Sequence, residues 1–199
     1  MTASEPGSAE RIGPGALVLV VGPSGAGKDT LIALARESFA HDPNIEFPRR
    51  IVTRAPCAAE DHESVSEAAF ERARSEGAFA FSWEAHGLRY ALPIAIDADI
   101  RAGRTVVCNV SRALVQSLRE RYAGVIVVLV TAPRELLAAR LAGRARSTDG
   151  DAVSRVDRAA PRRDELCPDM VIENIGEPRS GARVLCDVIR GSARSLRRR

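Results

Sequence analysis

The feature that most constrains this chain is a glycine-rich turn placed between an apolar, strand-like run at 16–21 and a helix-like stretch that begins at Lys28. In such a turn the backbone N–H groups point inward, and the dipole of the following helix favours an anion. Lys28 is the only lysine among 29 lysine and arginine residues, which indicates a task for a compact ammonium rather than a guanidinium fork. A chance glycine-rich turn would not bring this flanking context. The sequence therefore predicts a nucleotide-phosphate cradle formed by Gly22, Pro23, Ser24, Gly25, Ala26, Gly27, Lys28, Asp29 and Thr30.

Composition indicates one domain with an aliphatic core. The 199 residues fit a single unit, and hydrophobic residues make up 45% while aromatic residues make up only 4%. The net charge is +3, and the arginines are interleaved with 26 acidic residues without a stacking aromatic motif. We therefore expect small anionic ligands and no binding to nucleic acid.

The cysteines and the lengths of the apolar runs predict a cytoplasmic protein. Four cysteines show no spacing typical of a zinc site or a disulfide framework, so we expect reduced thiols at Cys57, Cys108, Cys167 and Cys186. No apolar run approaches the length of a membrane span, and the first 14 residues lack the apolar centre of a signal peptide. We expect no membrane contact.

The alternation of apolar runs predicts an α/β fold with three layers, αβα, around a parallel sheet. Predicted strands lie at 16–21, 51–53, 78–83, 88–90, 105–110, 125–131 and 170–173. Predicted helices lie at 28–40, 66–76, 93–102, 111–121, 134–143 and 177–190, with a further one after a loop at 147–151. In such sheets ligands bind beyond the carboxyl ends of the strands.

The same patterns divide the chain into a folded domain and two tails. We expect a disordered tail at 1–14, a domain at 15–190 and a basic tail at 191–199. Residues 50–93 break the strand–helix alternation and predict a small acceptor-binding subdomain. The arginine-rich stretch near 144–153 predicts a lid.

Asp29 departs from the usual form of this loop, in which serine or threonine follows the lysine and binds Mg²⁺ through its hydroxyl. A hard divalent cation accepts carboxylate oxygen readily, so we expect Asp29 and Thr30 to hold Mg²⁺. The alternative is that Asp29 only complements the positive end of the helix dipole.

The predicted strand at 105–110 lacks the acid that usually helps to hold the metal at this strand end. Asn109, Ser111 and Arg112 stand there instead. We interpret the two departures as one change, in which the acidic group has moved to position 29. Asn109 and Ser111 would then bind hydroxyls of the phosphate acceptor, and Arg112 its phosphate. Alternatively, Asn109 and Ser111 cap the following helix.

Arginines elsewhere are candidates for phosphate binding. Arg50 and Arg54 lie four residues apart across a strand end, and a guanidinium group suits bidentate binding of phosphate. Arg144 and Arg155 lie near the two ends of the lid, where closure would bring them to a transferred phosphoryl group. The alternative for each of these arginines is a solvated surface position.

Three side chains of the predicted subdomain complete the candidates. Tyr90, just after Gly87, offers a hydroxyl to a phosphate. His62 and Trp83 either line the acceptor pocket or have a packing role. The histidines share no spacing typical of metal ligands, so we expect none of them to bind a metal.

Four motifs resemble those of the guanylate kinase group of P-loop kinases, over about residues 15–190. They are Gly22–Lys28, Thr53-Arg54-Ala55-Pro56, Gly87-Leu88-Arg89-Tyr90 and Arg140-Leu141-Ala142-Gly143-Arg144. The resemblance implies a P-loop NTPase fold and an acceptor site that includes Thr53 and Arg54. The glutamate that reads guanine in that group falls near Phe81 or Ser82 and is absent. A pocket without this acid should not select guanine.

These departures resemble a narrower group, the ribose 1,5-bisphosphate phosphokinases of phosphonate degradation. The similarity lies in Lys28-Asp29, in the run 50–54, in Ser82-Trp83 before Gly87-Leu88, and in the run 109–113. The resemblance implies ATP-dependent phosphorylation of a small sugar bisphosphate, with ATP and Mg²⁺ as cofactors. Arg89 and Ala91 stand where tyrosine and glycine are usual in that group.

Particular residues argue for or against other classes of function. Guanylate kinase, or another small-molecule kinase of this fold, is the main alternative. A switch-type GTPase needs a lysine in its base-reading motif, and this chain has only Lys28. An inactive, guanylate kinase-like binding module would usually lose the phosphate loop, which is intact here. A homodimer is neither required nor excluded by the sequence.

Overall fold

The computed structural model describes residues 10–54, 62–85, 87–145 and 166–196. Within these ranges the strands are β1 (Ala16–Val21), β2 (Ile45–Glu46), β3 (Arg50–Val52), β4 (His62–Ser64), β5 (Phe79–Ala85), β6 (Leu88–Pro93), β7 (Thr105–Asn109), β8 (Val125–Thr131) and β9 (Met170–Glu173). The helices are α1 (Lys28–Ser38), α2 (Glu67–Ser75), α3 (Ala95–Arg101), α4 (Val115–Arg121), α5 (Arg134–Ala145) and α6 (Pro178–Leu196), with a 3₁₀ turn at Arg112–Leu114.

Strand β1 is the centre of a parallel sheet in the order β2-β7-β1-β8-β9. All of its residues are buried, as expected for an unbroken apolar run covered on both faces. Because side chains alternate across a strand, Leu17 and Leu19 pack with α3 and α4, whereas Val18 and Val20 pack with α1 and α6. The predicted α/β fold is confirmed, and the glycine-rich loop leaves the carboxyl end of the central strand.

A second sheet has the order β4-β3-β6-β5. Strand β3 pairs with β4 in parallel and with β6 in antiparallel fashion, and β5 pairs with β6 in antiparallel fashion. Helix α2 covers one face of this sheet, where the ring centroids of Phe70 and Phe79 lie 4.8 Å apart. The sheet lies within residues 50–93, the section that breaks the strand–helix alternation in the sequence.

A buried polar cluster around Asp97 connects the second sheet to the main core. The Tyr122 hydroxyl donates to Asp97 Oδ1 at 2.6 Å, and the Arg121 guanidinium donates to Oδ2. The same guanidinium lies over the ring of Phe81 in β5, 5.4 Å from its centroid. Burial, and then the neighbouring Asp97 carboxylate, raises the pKa of the Tyr122 hydroxyl above its ordinary value, so this hydroxyl stays a donor. The cluster ties β5 to α3 and α4.

The sequence patterns do not predict β2 or β4. These strands span two and three residues and lie at the edges of their sheets, so neither presents enough alternating positions to detect. The expected cap of α2 is confirmed, because the Ser66 hydroxyl accepts from the Ala69 N–H at 3.2 Å. Helix α1 ends at Ser38, two residues before its predicted end.

The ends of the described chain are more ordered than the two predicted tails. Ile12 pairs in parallel with Tyr122, so the prediction of a disordered tail is wrong for residues 10–14. Helix α6 continues past its predicted end at 190 to Leu196. Ser192 is buried there and donates to the Ile189 carbonyl, which prolongs the buried face of the helix. No helix in the described ranges combines the length and apolarity needed to span a membrane.

We predict that Asp97→Ala lowers the free energy of unfolding by about 3 kcal/mol, because it leaves a buried hydroxyl and a guanidinium without their shared carboxylate. Urea unfolding followed by circular dichroism measures the loss. The control is Asp187→Ala, which removes an exposed partner of Arg190 and should cost less than about 0.5 kcal/mol. Equal losses in the two variants would contradict a stabilising role for the buried cluster.

Candidate active site

The loop between β1 and α1 requires glycine where its backbone turns. Gly22, Gly25 and Gly27 have φ angles of 147°, 81° and 89°, a region that other L residues rarely adopt. A Cβ on Gly22 would also overlap the carbonyl oxygen of Val130 in β8, and a Cβ on Gly27 would overlap the amide of Asn174. The loop therefore lies directly against two neighbouring segments, which fix the direction of its backbone.

Lys28 is the first residue of α1, and its ammonium folds back over the loop. Its Nζ donates to the carbonyl oxygens of Gly22 at 3.0 Å and Pro23 at 2.9 Å. A phosphate that entered the loop would meet this charge together with the positive end of the helix dipole. The phosphate-binding role of Lys28 stays a prediction, and its position at the loop is the one that this role requires.

Asn174 and Arg140 support the loop from behind, a role that the sequence patterns do not reveal. The buried amide of Asn174 donates to the Ala26 carbonyl at 2.8 Å. Arg140 in α5 donates to the carbonyls of Gly25 at 3.3 Å and Asn174 at 2.9 Å. Asn174 directly follows β9, so the available sequence signal is a polar residue at the carboxyl end of the last strand.

Asp29 joins three elements at one carboxylate oxygen. Its Oδ1 accepts from the Asn109 amide at the end of β7, at 2.8 Å, and from the Arg50 guanidinium at the start of β3, at 3.2 Å. The Asp29 side chain keeps 34% of its surface exposed, whereas Arg50 keeps 15%. The carboxylate is therefore held on one side and open on the other, next to the phosphate loop.

This arrangement suits a divalent cation that completes its coordination with phosphates and water. Among the described residues, no group of three or more His, Cys, Asp or Glu side chains could form an all-protein metal site. Donors in the described ranges contact only Oδ1 of Asp29, which leaves Oδ2 for such an ion. Thr30, the other predicted metal ligand, is exposed beside it in α1.

The residues after β7 do not cap a helix through their side chains. Asn109 is the last residue of β7, and its amide donates to Asp29. The Ser111 hydroxyl makes no capping hydrogen bond to the 3₁₀ turn. Ser111 and the half-buried Arg112 stay predicted acceptor ligands, whereas Asn109 has a visible second task, which is to position Asp29.

Two curated bacterial proteins are similar to this chain over nearly its whole length. A protein named ribose 1,5-bisphosphate phosphokinase PhnN from Rhodopseudomonas palustris is 55% identical over 179 residues, which cover 90% of each chain. A protein of the same name from Bradyrhizobium diazoefficiens is 50% identical over 187 residues, which cover 94% of each chain. The chain belongs to the ribose 1,5-bisphosphate phosphokinase PhnN family. The resemblance seen in the sequence motifs is confirmed.

The fold of this PhnN-family chain is also that of a solved kinase. The crystal structure of guanylate kinase from Anaplasma phagocytophilum has a TM-score of 0.65 and 21% identity, and the match covers 90% of this chain and 86% of that one. At this identity the likeness shows the fold alone, and it confirms the expected guanylate kinase-like P-loop architecture. No protein-family model matches the chain.

Thr53 fixes the end of β3 against β6. Its hydroxyl accepts from the Arg89 N–H at 2.9 Å, and its own N–H donates to the Arg89 carbonyl at 3.0 Å. The Arg89 side chain pairs with Glu71 of α2 and with Glu84 of β5. Arg89, which stands where the PhnN resemblance suggests tyrosine, therefore connects α2 to the second sheet.

The remaining predicted site residues are Tyr90, Arg54, Arg144 and Arg155. The ring of Tyr90 in β6 stacks on Trp83 in β5, with centroids 5.4 Å apart and planes at 13°. Arg54 is half-buried just after β3. Arg144 belongs to the last turn of α5, but its side chain lies outside the described residues, as do Arg155 and the predicted lid beyond residue 145.

Cys108 does not add a nucleophile to this site. It lies in β7 directly before Asn109, and burial raises the pKa of its thiol to about 12 against the opposing effect of the Arg50 charge. The thiol is therefore neutral near pH 7. Among the described residues Cys108, Cys167 and Cys186 form no disulfide, and Cys57 lies outside the described residues.

Gly22→Ala should lower the free energy of unfolding by more than about 3 kcal/mol, because its Cβ overlaps a backbone carbonyl at a φ that alanine avoids. Gly77→Ala is the matched control, since Gly77 has a φ of 73° but a Cβ there meets nothing within 4 Å. Backbone strain alone should cost about 1 kcal/mol at that position. Urea unfolding compares the two variants. A loss at Gly22 no larger than that at Gly77 would rule out the tight packing of the loop.

Proposed function

We propose that this chain transfers the γ-phosphoryl group of ATP to the 1-phosphate of ribose 1,5-bisphosphate, giving 5-phospho-α-D-ribose 1-diphosphate and ADP. The observation that carries the proposal is the Asp29 carboxylate, held between the phosphate loop and Arg50 of the second sheet. A phosphate loop joined in this way to an arginine-bearing sheet is suited to align two phosphates. The name of both relatives supports this choice of acceptor, and we infer a role in phosphonate catabolism in the cytoplasm.

The donor side is the loop from Gly22 to Thr30. Its N–H groups and the N-terminus of α1 would bind the β- and γ-phosphates of ATP, and Lys28 would exchange its carbonyl partners for phosphate oxygens. Asp29 and Thr30 would hold Mg²⁺. When bound, Mg²⁺ neutralises part of the negative charge on the phosphate oxygens.

The acceptor side lies along β3 and after β7. Arg50, Arg54 and Arg112 would bind the phosphates of the sugar, and Thr53, Ser111 and Asn109 would complete the site. An oxygen of the acceptor phosphate attacks the γ-phosphorus, the bond from this phosphorus to the bridging oxygen breaks, and ADP leaves with that oxygen. A phosphate is already anionic near pH 7, so no side chain has to remove a proton. Alignment and charge neutralisation supply the acceleration.

The main alternative, guanylate kinase activity, has less support. Phe81 packs against the core and Ser82 is exposed, and neither supplies the acid that a guanine-reading pocket needs. We propose that Arg144 and Arg155 supply further positive charge to the transferred group, a role that either acceptor would use.

Product analysis by ³¹P NMR tests the proposed reaction. Incubation with MgATP and ribose 1,5-bisphosphate should give the resonances of ADP and of a sugar diphosphate, whereas GMP should give no GDP. Lys28→Ala should lower kcat by about 10² to 10³-fold, because it removes a charge that contacts the transferred phosphoryl group. Formation of GDP without any sugar diphosphate would refute the proposed acceptor.

Asp29→Asn should weaken the binding of Mg²⁺ that turnover requires, because it removes the negative charge but keeps the shape of the side chain. We expect the midpoint of the Mg²⁺ titration to rise about tenfold, the effect of losing about 1.4 kcal/mol of binding. Electron paramagnetic resonance of Mn²⁺ in the presence of ADP measures the same loss without turnover. Asp187→Asn, at an exposed pair on α6, is the control. Unchanged metal titrations in Asp29→Asn would exclude Asp29 as a metal ligand.

A further inference from the structure

Trp83 and Tyr90 form a stacked aromatic pair across β5 and β6. The two residues are directly opposite each other in the register of these strands, and their ring planes are almost parallel. The chain has one tryptophan and two tyrosines, so this pair contains two of its three tryptophan and tyrosine rings. We therefore examine this pair as a candidate binding surface rather than as core packing alone.

The register of the second sheet shows which way the pair faces. Arg50 and Val52 are two residues apart in β3 and so lie on the same face. Val52 is directly opposite Tyr90, and Tyr90 is directly opposite Trp83, so the four side chains share one face. From this face Arg50 reaches Asp29 beside the phosphate loop. The aromatic pair therefore faces the cleft in which phosphate chemistry would occur.

The opposite face of the sheet is already covered. There Arg89 pairs with Glu71 of α2 and with Glu84. Phe79 contacts Phe70 of the same helix. Trp83, by contrast, packs only partly against the main core and stays half-buried. One face of the second sheet is thus covered by α2, and the other faces the cleft.

The distance from Arg50 to the pair suits a sugar that carries two phosphates. Neighbouring strands lie about 4.8 Å apart and residues rise about 3.3 Å along a strand, which puts Tyr90 roughly 8 Å and Trp83 roughly 12 Å from Arg50 along the sheet. A pentose with one phosphate held near Arg50 would bring its ring over the aromatic pair. Its second phosphate would then lie farther from the loop.

The surroundings of the pair suit a sugar face better than the edge of a purine. Its neighbours on this face, Val52, Phe81 and Leu92, are all apolar. They offer no hydrogen bonds of the kind that select a base. Trp83 is half-buried, and its indole N–H is a donor that suits a sugar hydroxyl.

We propose that Trp83 and Tyr90 form the platform for the pentose ring of the acceptor and select a sugar phosphate over a nucleoside monophosphate. This role rests on the proposed function and extends it from the phosphates to the sugar. The apolar C–H face of the pentose packs on the rings, while the indole N–H and the tyrosine hydroxyl are the polar groups at their edges.

Trp83 is the only tryptophan, so intrinsic fluorescence reports on this position alone. Wild-type protein is titrated with ribose 1,5-bisphosphate, GMP or inorganic phosphate, each with and without saturating ADP. We expect a saturable change with ribose 1,5-bisphosphate, with a midpoint near its KM, and no comparable change with the other two. A flat signal at concentrations that saturate turnover overturns the proposal, as does an equal response to GMP or to phosphate.

Steady-state kinetics of variants separates this role from a general loss of structure. Trp83→Leu should raise the KM for ribose 1,5-bisphosphate about tenfold, the order expected for one lost stacking contact, with kcat and the KM for ATP within about threefold of wild type. Trp83→Phe should recover most of the loss. Phe79→Leu, on the face covered by α2, is the matched control and should leave this KM unchanged.

Failure of the aromatic platform and failure of the proposed reaction give different results. Turnover of ribose 1,5-bisphosphate with an unchanged KM in Trp83→Leu overturns the platform alone. Wild-type turnover of GMP without turnover of ribose 1,5-bisphosphate overturns the proposed function together with it.

Discussion

One carboxylate oxygen, Oδ1 of Asp29, connects the phosphate loop to both sheets in the described part of the chain. It accepts from Asn109 at the end of β7 and from Arg50 at the start of β3, so α1, the main sheet and the second sheet meet at a single atom. Hydrogen bonds to a charged group are stronger than those between neutral groups, and partial burial limits their screening by solvent. Any change in the position of β3 relative to the loop therefore acts on this carboxylate.

The phosphate loop is held in place from several sides by the surrounding fold. It leaves the fully buried central strand, passes against the Val130 carbonyl where only glycine fits, and is supported from behind by Asn174 and Arg140. A loop that is held by its neighbours in this way loses little conformational entropy when a ligand binds. The core thus pre-organises the donor side, while Arg50 brings the second sheet to it.

Parts of this organisation follow from local sequence patterns and parts do not. The loop from Gly22 to Lys28 is predictable because its backbone angles restrict which residues can occupy it, and β1 is predictable because burial on both faces demands an unbroken apolar run. Asp29, Arg50 and Asn109 are each noticeable as polar residues at element ends. The contact among these three side chains cannot be predicted in this way, because Asn109 lies 80 positions from Asp29 and no local pattern encodes that contact.

The same limit explains the features that the sequence patterns miss. Asn174 supports the loop across 148 positions, and Arg140 reaches Gly25 across 115, so both roles depend on the order of strands in the sheet. The shared face of Arg50, Tyr90 and Trp83 depends on the pairing register of β3, β5 and β6. Strands β2 and β4 are too short for an alternating pattern to appear.

The central claim is that the acidic group near the metal has moved from the end of β7 to position 29. The most direct test of this claim is to return the carboxylate to the end of β7 by mutation and to measure kcat. Asp29→Ser should lower kcat at saturating Mg²⁺ about 10²-fold, and adding Asn109→Asp should restore at least about tenfold of that loss, since the carboxylate returns beside the phosphate loop. A double variant no more active than Asp29→Ser alone would contradict the exchange of carboxylate between the two positions.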